Sequence, residues 1–410
     1  MGNIPQEHKF PPLFSKEHQL MTHESPVRIE KNKKQLSIGV AKETIMQENR
    51  VALVPNSVKH LVLQGHRVFI TAGAGEKSNF SDLNYSDAGA EIVAENKEVY
   101  KADIIIKTAP PTIEEIDFFT RDQLLISPIQ ITMVTKAYLE KLKQKRVIAI
   151  AMEYMQSEDY SFPVVQIMSE IAGVVAILTA AEYLSNSPES RKVLLGGISG
   201  VPPAKVVILG AGIVAEHATK TALALGASVR IFDDDINRIM KLQTRIGQQL
   251  HTSTINPVYL EYQLLSADVL IASIHSPSGR SPMIVTEEMV CKMKPGAVII
   301  DVSIDQGGCI ETSRLTTHDK PVFTKHGVVH YCVPNIPSKV SRTASIAISN
   351  ILTPIIIKAG TMNSYELLLF QNAGLRNGVY TYKGSITNKY LAESFGMKHT
   401  DLDLLLTYGM

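Results

Sequence analysis

The residues with the clearest chemical meaning lie in one stretch, AKVVILGAGIVAEHATKTALALGASVRIFDD, at positions 204–234. There an apolar run leads into Gly210, Gly212 and Ala215, and helix-forming residues follow at once. Glycines permit a tight turn and let the backbone approach a pyrophosphate, while a helix N-terminus offers free N–H groups to its oxygens. A second apolar run ends at Asp233, about 20 residues after the glycines, where a ribose hydroxyl needs an acceptor. The pattern predicts a dinucleotide site, and a packing turn in another α/β protein is the alternative.

Two further acids follow Asp233, at Asp234 and Asp235. Three carboxylates at this point repel a 2′-phosphate, whereas the first of them can accept hydrogen bonds from a ribose diol. We therefore predict NAD rather than NADP as the cofactor. An acidic turn after a strand is the alternative interpretation of the acid run, and it leaves Asp233 as the acid that ends the strand.

Composition argues against several classes of protein. The chain has 410 residues, of which 45% are hydrophobic and 20% charged, as in soluble globular proteins of two or three domains. Its net charge of +1 gives no field that would recruit nucleic acid or an anionic membrane, so neither is an expected partner. Three cysteines, Cys291, Cys309 and Cys332, are odd in number and lack CxxC spacing, which argues against a disulfide framework and a structural zinc. We expect a cytoplasmic protein without a metal site.

The elements that must position these residues follow an α/β pattern. From Leu36 onward, short apolar runs alternate with helical segments, which is typical of parallel sheets covered on both faces. The sequence predicts two doubly wound, Rossmann-like domains. Strands are expected at 37–41, 68–72, 104–107, 124–126 and 147–151 in the first domain, and at 206–209, 229–232, 267–273, 298–302 and 329–333 in the second.

The domain boundaries follow from changes in this pattern. Residues 1–35 are polar and lack the apolar core of a signal peptide, so we interpret them as an N-terminal extension. A long apolar helix at 164–186 is interrupted by Glu170 and Glu182 and is expected to be a buried connection rather than a membrane span. The helical C-terminal segment is expected to pack back on the first domain. This assigns 36–163 plus 342–410 to a substrate domain and 164–341 to a dinucleotide domain.

Several long blocks of the chain resemble one family, the alanine dehydrogenases and the related NAD-binding part of proton-pumping nicotinamide nucleotide transhydrogenase. The resemblance runs in order over roughly residues 36–360. IDQGGCIE and YCVPNIP are more similar to the alanine dehydrogenases than to the transhydrogenases. The blocks are IGVAKETIMQENRVALVPNSV, GHRVFITAGAGEKSNFSD, MSEIAG, KVVILGAGIVAE, MKPGAVIIDVSIDQGGCIE and HYCVPNIPSKVSRTAS.

The resemblance implies NAD-dependent oxidative deamination of L-alanine to pyruvate and ammonia, in a cleft between two domains of a homo-oligomer. Arg50 matches the arginine that binds the substrate carboxylate, which suits a planar guanidinium with parallel donors. Asp305 matches the active-site aspartate near the nicotinamide, and Ser169 and Asn335 match positions close to cofactor and substrate. The alternatives are a solvated arginine, a helix N-cap at Asp305, and capping or turn roles for the other two.

Two positions depart from the family pattern. The family has a substrate-binding lysine two residues after Lys107, where this chain has Ala109. It also has a histidine at the end of the next strand, where this chain has Gln130. Glutamine donates and accepts hydrogen bonds but does not exchange a proton near neutral pH. A second hypothesis is therefore an NAD(H)-binding module with altered or no dehydrogenase activity.

Four residues are candidates to compensate for these losses. Lys107 lies two positions before Ala109 and would share its face of a strand, so its stem is long enough to enter the space left by the alanine. We therefore include it with Asp305 as a catalytic candidate. Glu48 is a candidate for holding an amino group, and His326 and His330 are candidates for a titrating group. The alternative for Lys107 is another role common to the whole family, and for the two histidines it is a structural role.

Overall fold

The computed structural model describes residues 35–45, 47–131, 134–276 and 279–408. Nearly all of the predicted N-terminal extension, residues 1–34, lies outside these ranges. The described chain forms two sheets with helices between the strands, so the predicted two-domain α/β fold is confirmed.

The first sheet has eight strands in the order β15-β14-β6-β5-β4-β1-β2-β3. The strands from β1 to β6 pair in parallel, as predicted. The strand β14 is antiparallel to both β6 and β15. The strands are β1 (Ser37–Val40), β2 (Arg67–Thr71), β3 (Glu91–Val93), β4 (Ile104–Ile106), β5 (Leu124–Ser127), β6 (Ile148–Ala151), β14 (Val379–Tyr382) and β15 (Ser385–Ile386).

The second sheet has seven strands in the order β12-β13-β11-β10-β7-β8-β9, and only the edge strand β12 is antiparallel to its neighbour. Its strands are β7 (Lys205–Leu209), β8 (Ser228–Phe232), β9 (His251–Ser253), β10 (Val269–Ala272), β11 (Val298–Asp301), β12 (Val322–Lys325) and β13 (Val328–Tyr331). All five predicted strands of this domain are present.

Helices cover the faces of both sheets. The α-helices are α1 (Pro55–Leu63), α2 (Asp82–Asp87), α3 (Asn96–Val99), α4 (Ile113–Asp117), α5 (Lys136–Gln144), α6 (Pro163–Asn186), α7 (Ile213–Ala224), α8 (Ile236–Ile246), α9 (Pro257–Leu264), α10 (Glu287–Cys291), α11 (Ser341–Met362), α12 (Tyr365–Gln371), α13 (Ala373–Gly378), α14 (Lys389–Ser394) and α15 (Leu402–Tyr408). Short 3₁₀ helices occupy Glu76–Ser78, Met152–Tyr154, Val302–Gln306 and Ile336–Val340.

The C-terminal segment completes the first domain with strands as well as helices. Ile348, Leu352 and Ile356 of α11 recur every four residues and are buried in the same core as Ile38 of β1. The segment also contributes two strands that the sequence did not predict, β14 and β15, which extend the first sheet beyond β6. The strand β14 has only four residues and follows directly on α13, so the alternation of apolar and polar residues is too short to predict a strand. The division into 36–163 plus 342–410 and 164–341 stays a proposal.

Two helices, α6 and the run Ile336–Met362, are long and apolar enough to cross a membrane by length and composition alone. Their mean hydropathies are 1.9 and 1.4, so Glu170 and Glu182 do not by themselves disqualify α6. In the fold, 44% of each apolar window is buried inside the protein, and α6 packs mainly against α7. Gly173 permits that contact, because a Cβ there would lie 2.4 Å from the Val214 carbonyl oxygen.

Candidate active site

Arg50 lies in the loop after β1 and is held from one side by Glu48. Its Nε and Nη2 donate to the two oxygens of Glu48 at 2.8 and 2.6 Å, and both side chains are buried. The other edge of the guanidinium has only weaker partners, the Met168 sulfur and the Thr108 carbonyl oxygen, each at 3.4 Å. Arg50 is thus not a solvated surface arginine. Glu48 fixes its orientation, and the remaining edge is suited to a substrate carboxylate.

Asn335 joins this loop to the second domain. Its side-chain Nδ2 donates to Glu48 Oε2 at 3.1 Å, and its backbone N–H donates to Asp305 Oδ1 at 3.1 Å. Asn335 has φ of 55°, a left-handed conformation that asparagine tolerates better than most residues. One residue therefore links the carboxylate that orients Arg50 with the predicted active-site aspartate.

Asp305 lies in the 3₁₀ helix after β11, near the C-terminal edge of the second sheet. The cap of that helix is Asp301, so the N-cap alternative for Asp305 is not supported. The Asp305 side chain keeps solvent access, yet protein atoms surround it closely enough that desolvation raises its pKa. The Asn335 N–H and the Arg50 charge act in the opposite direction. Asp305 therefore holds a proton more readily than an ordinary aspartate, as a proton-transfer group requires.

Ser169 lies in the interior of α6 and is partly buried, so it is not a helix cap. The residue before it, Met168, is the one whose sulfur contacts Arg50. No contact among the described residues ties the Ser169 side chain to Arg50, so its place near cofactor and substrate stays a prediction.

The glycine-rich turn between β7 and α7 has the shape that a pyrophosphate needs. Gly210 has φ of 101°, and a Cβ there would lie 2.7 Å from the Ser273 carbonyl oxygen, so both conformation and space require glycine. At Gly212, immediately before α7, the space that a Cβ would take is open to at least 4 Å. Ala215 is fully buried and serves the close packing of α7 on the sheet rather than direct contact.

Asp233 ends β8 beside this turn. Its Oδ2 accepts a hydrogen bond from the Ala211 N–H at 2.7 Å, and its Oδ1 accepts one from the Asp235 N–H at 2.8 Å. A carboxylate has about four acceptor sites, so capacity for a ribose diol remains. Asp235 also caps α8 by accepting a hydrogen bond from the Asn237 N–H, which agrees with the alternative of an acidic turn after the strand. The described residues thus fit a dinucleotide.

Lys107 is placed differently from the expectation. It is fully buried, and its Nζ lies 2.9 Å from Glu43 Oε2 and 3.2 Å from Glu115 Oε1. Burial opposes its charge, but the two carboxylates outweigh burial and raise the pKa of the ammonium. An ammonium held between two buried carboxylates does not reach into the space beside Ala109 as a free amine. The geometry favours a structural role for Lys107.

Ala109 and Gln130, the two positions at which the sequence was predicted to depart from the family pattern, lie in loops held by glutamates. Ala109 is buried, and its backbone N–H lies 3.4 Å from Glu43 Oε1. Gln130 has φ of 45°, and its backbone N–H donates to Glu153 Oε1 at 3.2 Å. Neither position offers a titrating side chain.

The two histidines singled out as candidates are engaged elsewhere. His326 Nε2 lies 2.6 Å from Glu287 Oε1 near the surface. His330 is fully buried between Thr312 and the Val328 carbonyl, and burial lowers its pKa to about 4. Sequence reasoning missed His318, whose ring lies near the backbone of Asn335 and whose backbone N–H donates to Gln47. No local spacing marks that residue, because only the folded chain brings it to the cleft.

Among the described residues, no group of three or more His, Cys, Asp or Glu is arranged to hold a metal ion. All three cysteines are free.

Comparisons with known proteins identify the family of this chain. Family models described as the N-terminal and C-terminal domains of alanine dehydrogenase/PNT match residues 39–172 and 176–389. Alanine dehydrogenase 2 of Staphylococcus aureus strain USA300 is 39% identical over 369 residues, covering 90% of this chain and 99% of that protein. A solved L-alanine dehydrogenase is 36% identical, with a TM-score of 0.82, and covers 88% of this chain and 99% of that one. The transhydrogenase from Sinorhizobium meliloti shares the fold at 24% identity and a TM-score of 0.73, over 86% of this chain and 99% of that one.

Proposed function

Because the chain belongs to the alanine dehydrogenase/PNT family, we propose that it catalyses the NAD-dependent oxidative deamination of L-alanine, or a close relative, to the 2-oxo acid and ammonia. The observation that carries the proposal is the chain of contacts from Arg50 through Glu48 and Asn335 to Asp305. It brings a carboxylate-binding cation from one domain to a proton-binding carboxyl of the other.

In this mechanism the free edge of Arg50 receives the substrate carboxylate through two hydrogen bonds. Glu48 keeps the guanidinium from rotating, since its bidentate contact leaves one orientation. Asp305 accepts or donates a proton beside the reacting carbon, aided by its raised pKa.

NAD would be held by the turn at Gly210 and Gly212 and by Asp233, and when bound it supplies the acceptor for the substrate hydride. The open space at Gly212 leaves room for the pyrophosphate at the N-terminus of α7. Asp233 and Asp234 favour NAD over NADP, since a 2′-phosphate would meet two carboxylates.

The second candidate function is an NAD(H)-binding module without dehydrogenase activity. It is favoured by Ala109 and Gln130, and by the enclosure of Lys107 between Glu43 and Glu115. Calorimetry that shows NADH binding together with no turnover of any amino or 2-oxo acid would support this alternative.

The distinguishing experiment compares Arg50→Gln with Arg67→Gln in the full chain. Arg67 pairs with Glu91 at the surface and is remote from the cleft, so its replacement is the matched control. We expect Arg50→Gln to lower kcat/KM for alanine by about 100-fold, the loss of a charge-assisted pair, and to leave the NADH Kd unchanged. Equal activity of the two variants would overturn the role of Arg50.

We further propose a cytoplasmic homo-oligomer that uses small-molecule substrates. Three unpaired cysteines suit a reducing compartment. Exposed apolar side chains such as Ile198 and Val258 offer surface for subunit contacts. Light scattering after size exclusion tests the assembly, and a mass of one chain would contradict it.

A further inference from the structure

Glu153 lies directly behind the loop in which a histidine is expected but absent. It follows β6 in the 3₁₀ helix Met152–Tyr154, and its Oε1 accepts hydrogen bonds from the Ile129 and Gln130 N–H groups at 2.8 and 3.2 Å. The strands β5 and β6 are parallel neighbours, so both loops emerge at the same edge of the sheet. This edge also carries the loops of Arg50 and Ala109, which follow β1 and β4.

The second oxygen of Glu153 is unsatisfied. Among the described residues Oε2 has no hydrogen-bond partner, and it is closed to solvent. Buried polar atoms are almost always paired, so an unpaired one calls for an explanation, and a catalytic role is one such explanation. Since Oε1 alone holds the loop, Oε2 is the atom left to carry a proton.

The surroundings of Glu153 favour its protonated form. Burial raises the pKa of its carboxyl, and the backbone N–H groups only partly oppose burial. The ionisable groups that face it are Tyr138 of α5, the adjacent Tyr154 and Tyr380 of β14, all with pKa values raised by burial. None of the groups that shift Glu153 is a cation.

We propose that the carboxyl group of Glu153 is a second proton-handling group of this cleft beside Asp305, in place of the histidine expected at Gln130. The inference rests on the proposed function. The Glu153 carboxyl fixes the backbone of Gln130. Gln130 then provides a hydrogen-bonding side chain where the histidine is expected, and Glu153 provides the exchangeable proton.

The Glu153 carboxylate takes part in three proton transfers. After hydride leaves the substrate for NAD, water adds to the iminium carbon: its oxygen forms the C–O bond, its proton passes to the carboxylate, and the C=N electron pair returns to nitrogen. The carboxylic acid then returns the proton to nitrogen. The C–N bond then breaks and ammonia leaves as the carbonyl forms, and the hydroxyl proton passes to the Glu153 carboxylate.

The test compares Glu153→Gln, Gln130→His and the double variant in alanine turnover across pH. The amide of Glu153→Gln still accepts both loop N–H bonds, so the fold is kept. We expect kcat to fall about 100-fold and the acid limb of the pH profile to disappear. The double variant should regain activity with a limb near the ordinary histidine pKa of about 6.5. Exposed Glu140→Gln on α5 is the control.

Two outcomes would overturn the inference: an unchanged pH profile in Glu153→Gln, or no recovery in the double variant. If Glu153→Gln does not fold, infrared titration of the wild-type carboxyl band, with Glu153→Asp for assignment, takes its place. Titration at or below the ordinary glutamate pKa of about 4.3 would contradict the inference. An inactive wild-type protein overturns the proposed function as well. An active wild type whose kcat and pH profile are unchanged in Glu153→Gln overturns this inference alone.

Discussion

Asn335 Nδ2 and Glu48 Oε2 lie 3.1 Å apart, joined by a hydrogen bond between residues that are 287 positions apart in the chain. Glu48 belongs to the loop that carries Arg50, and Asn335 belongs to the segment after β13. The contact sets the position of the predicted substrate arginine relative to the dinucleotide domain.

Replacing Asn335 with alanine should therefore raise the KM for alanine about 10-fold, because a buried carboxylate loses a donor and the Arg50 loop loses its anchor. The Kd of NADH should change less than the KM. Asn79, also left-handed but exposed, gives the control Asn79→Ala for backbone strain. Equal effects of the two replacements would show that conformation rather than the hydrogen bond matters.

Replacing Asp233 with serine should weaken NADH binding about 10-fold and narrow its advantage over NADPH, because one repelling carboxylate and one ribose acceptor are lost together. Fluorescence titration with both cofactors measures the two constants. Tighter binding of NADPH than NADH by the wild-type protein would contradict the cofactor assignment.

Lys107→Met should lower the free energy of unfolding by about 3 kcal/mol, since removal of one member of a buried ion network leaves Glu43 and Glu115 uncompensated. Urea unfolding measures this change. A catalytic lysine would instead show full stability with lost turnover, and that result would restore the role expected from the sequence.

Two buried groups should give opposite pH dependences of stability over the same range. Burial raises the pKa of Asp301 to about 6, so its contribution is present below the ordinary aspartate value and is lost as pH rises through 6. Burial lowers the pKa of His330 to about 4, so its contribution is present above about 6.5 and is lost as pH falls through 4. The effects of Asp301 and His330 on the pH dependence of the unfolding free energy therefore cancel in part.

Asp301→Asn removes the stability contribution that the wild type loses as pH rises. The free energy of unfolding of the variant should therefore rise more steeply between pH 4 and 6 than that of the wild type. Urea unfolding at several pH values checks the sign. A shallower rise in the variant would mean that Asp301 is not the group responsible.

The sequence predicted what is local and missed what is assembled from distant segments. The turn at Gly210 and the acid at Asp233 are visible because residues 205–232 contain strand, turn, helix and strand in succession, and Asp233 follows at once. The enclosure of Lys107 was not visible, because Glu115 enters it from a separate helix and Glu43 from the loop after β1. The same holds for His318 and Glu153, which reach the cleft only through sheet topology.

We propose that this cleft turns over an amino acid with Ala109 and Gln130 at the positions where the family resemblance implies a lysine and a histidine. The most direct measurement mixes the purified full chain with pyruvate, ammonium and NADH, following NADH absorbance and the L-alanine formed. We expect one L-alanine to form for each NADH consumed, and we expect Arg50→Gln to lose this NADH consumption. Tight NADH binding with no consumption of NADH, for pyruvate and for other 2-oxo acids, would contradict it.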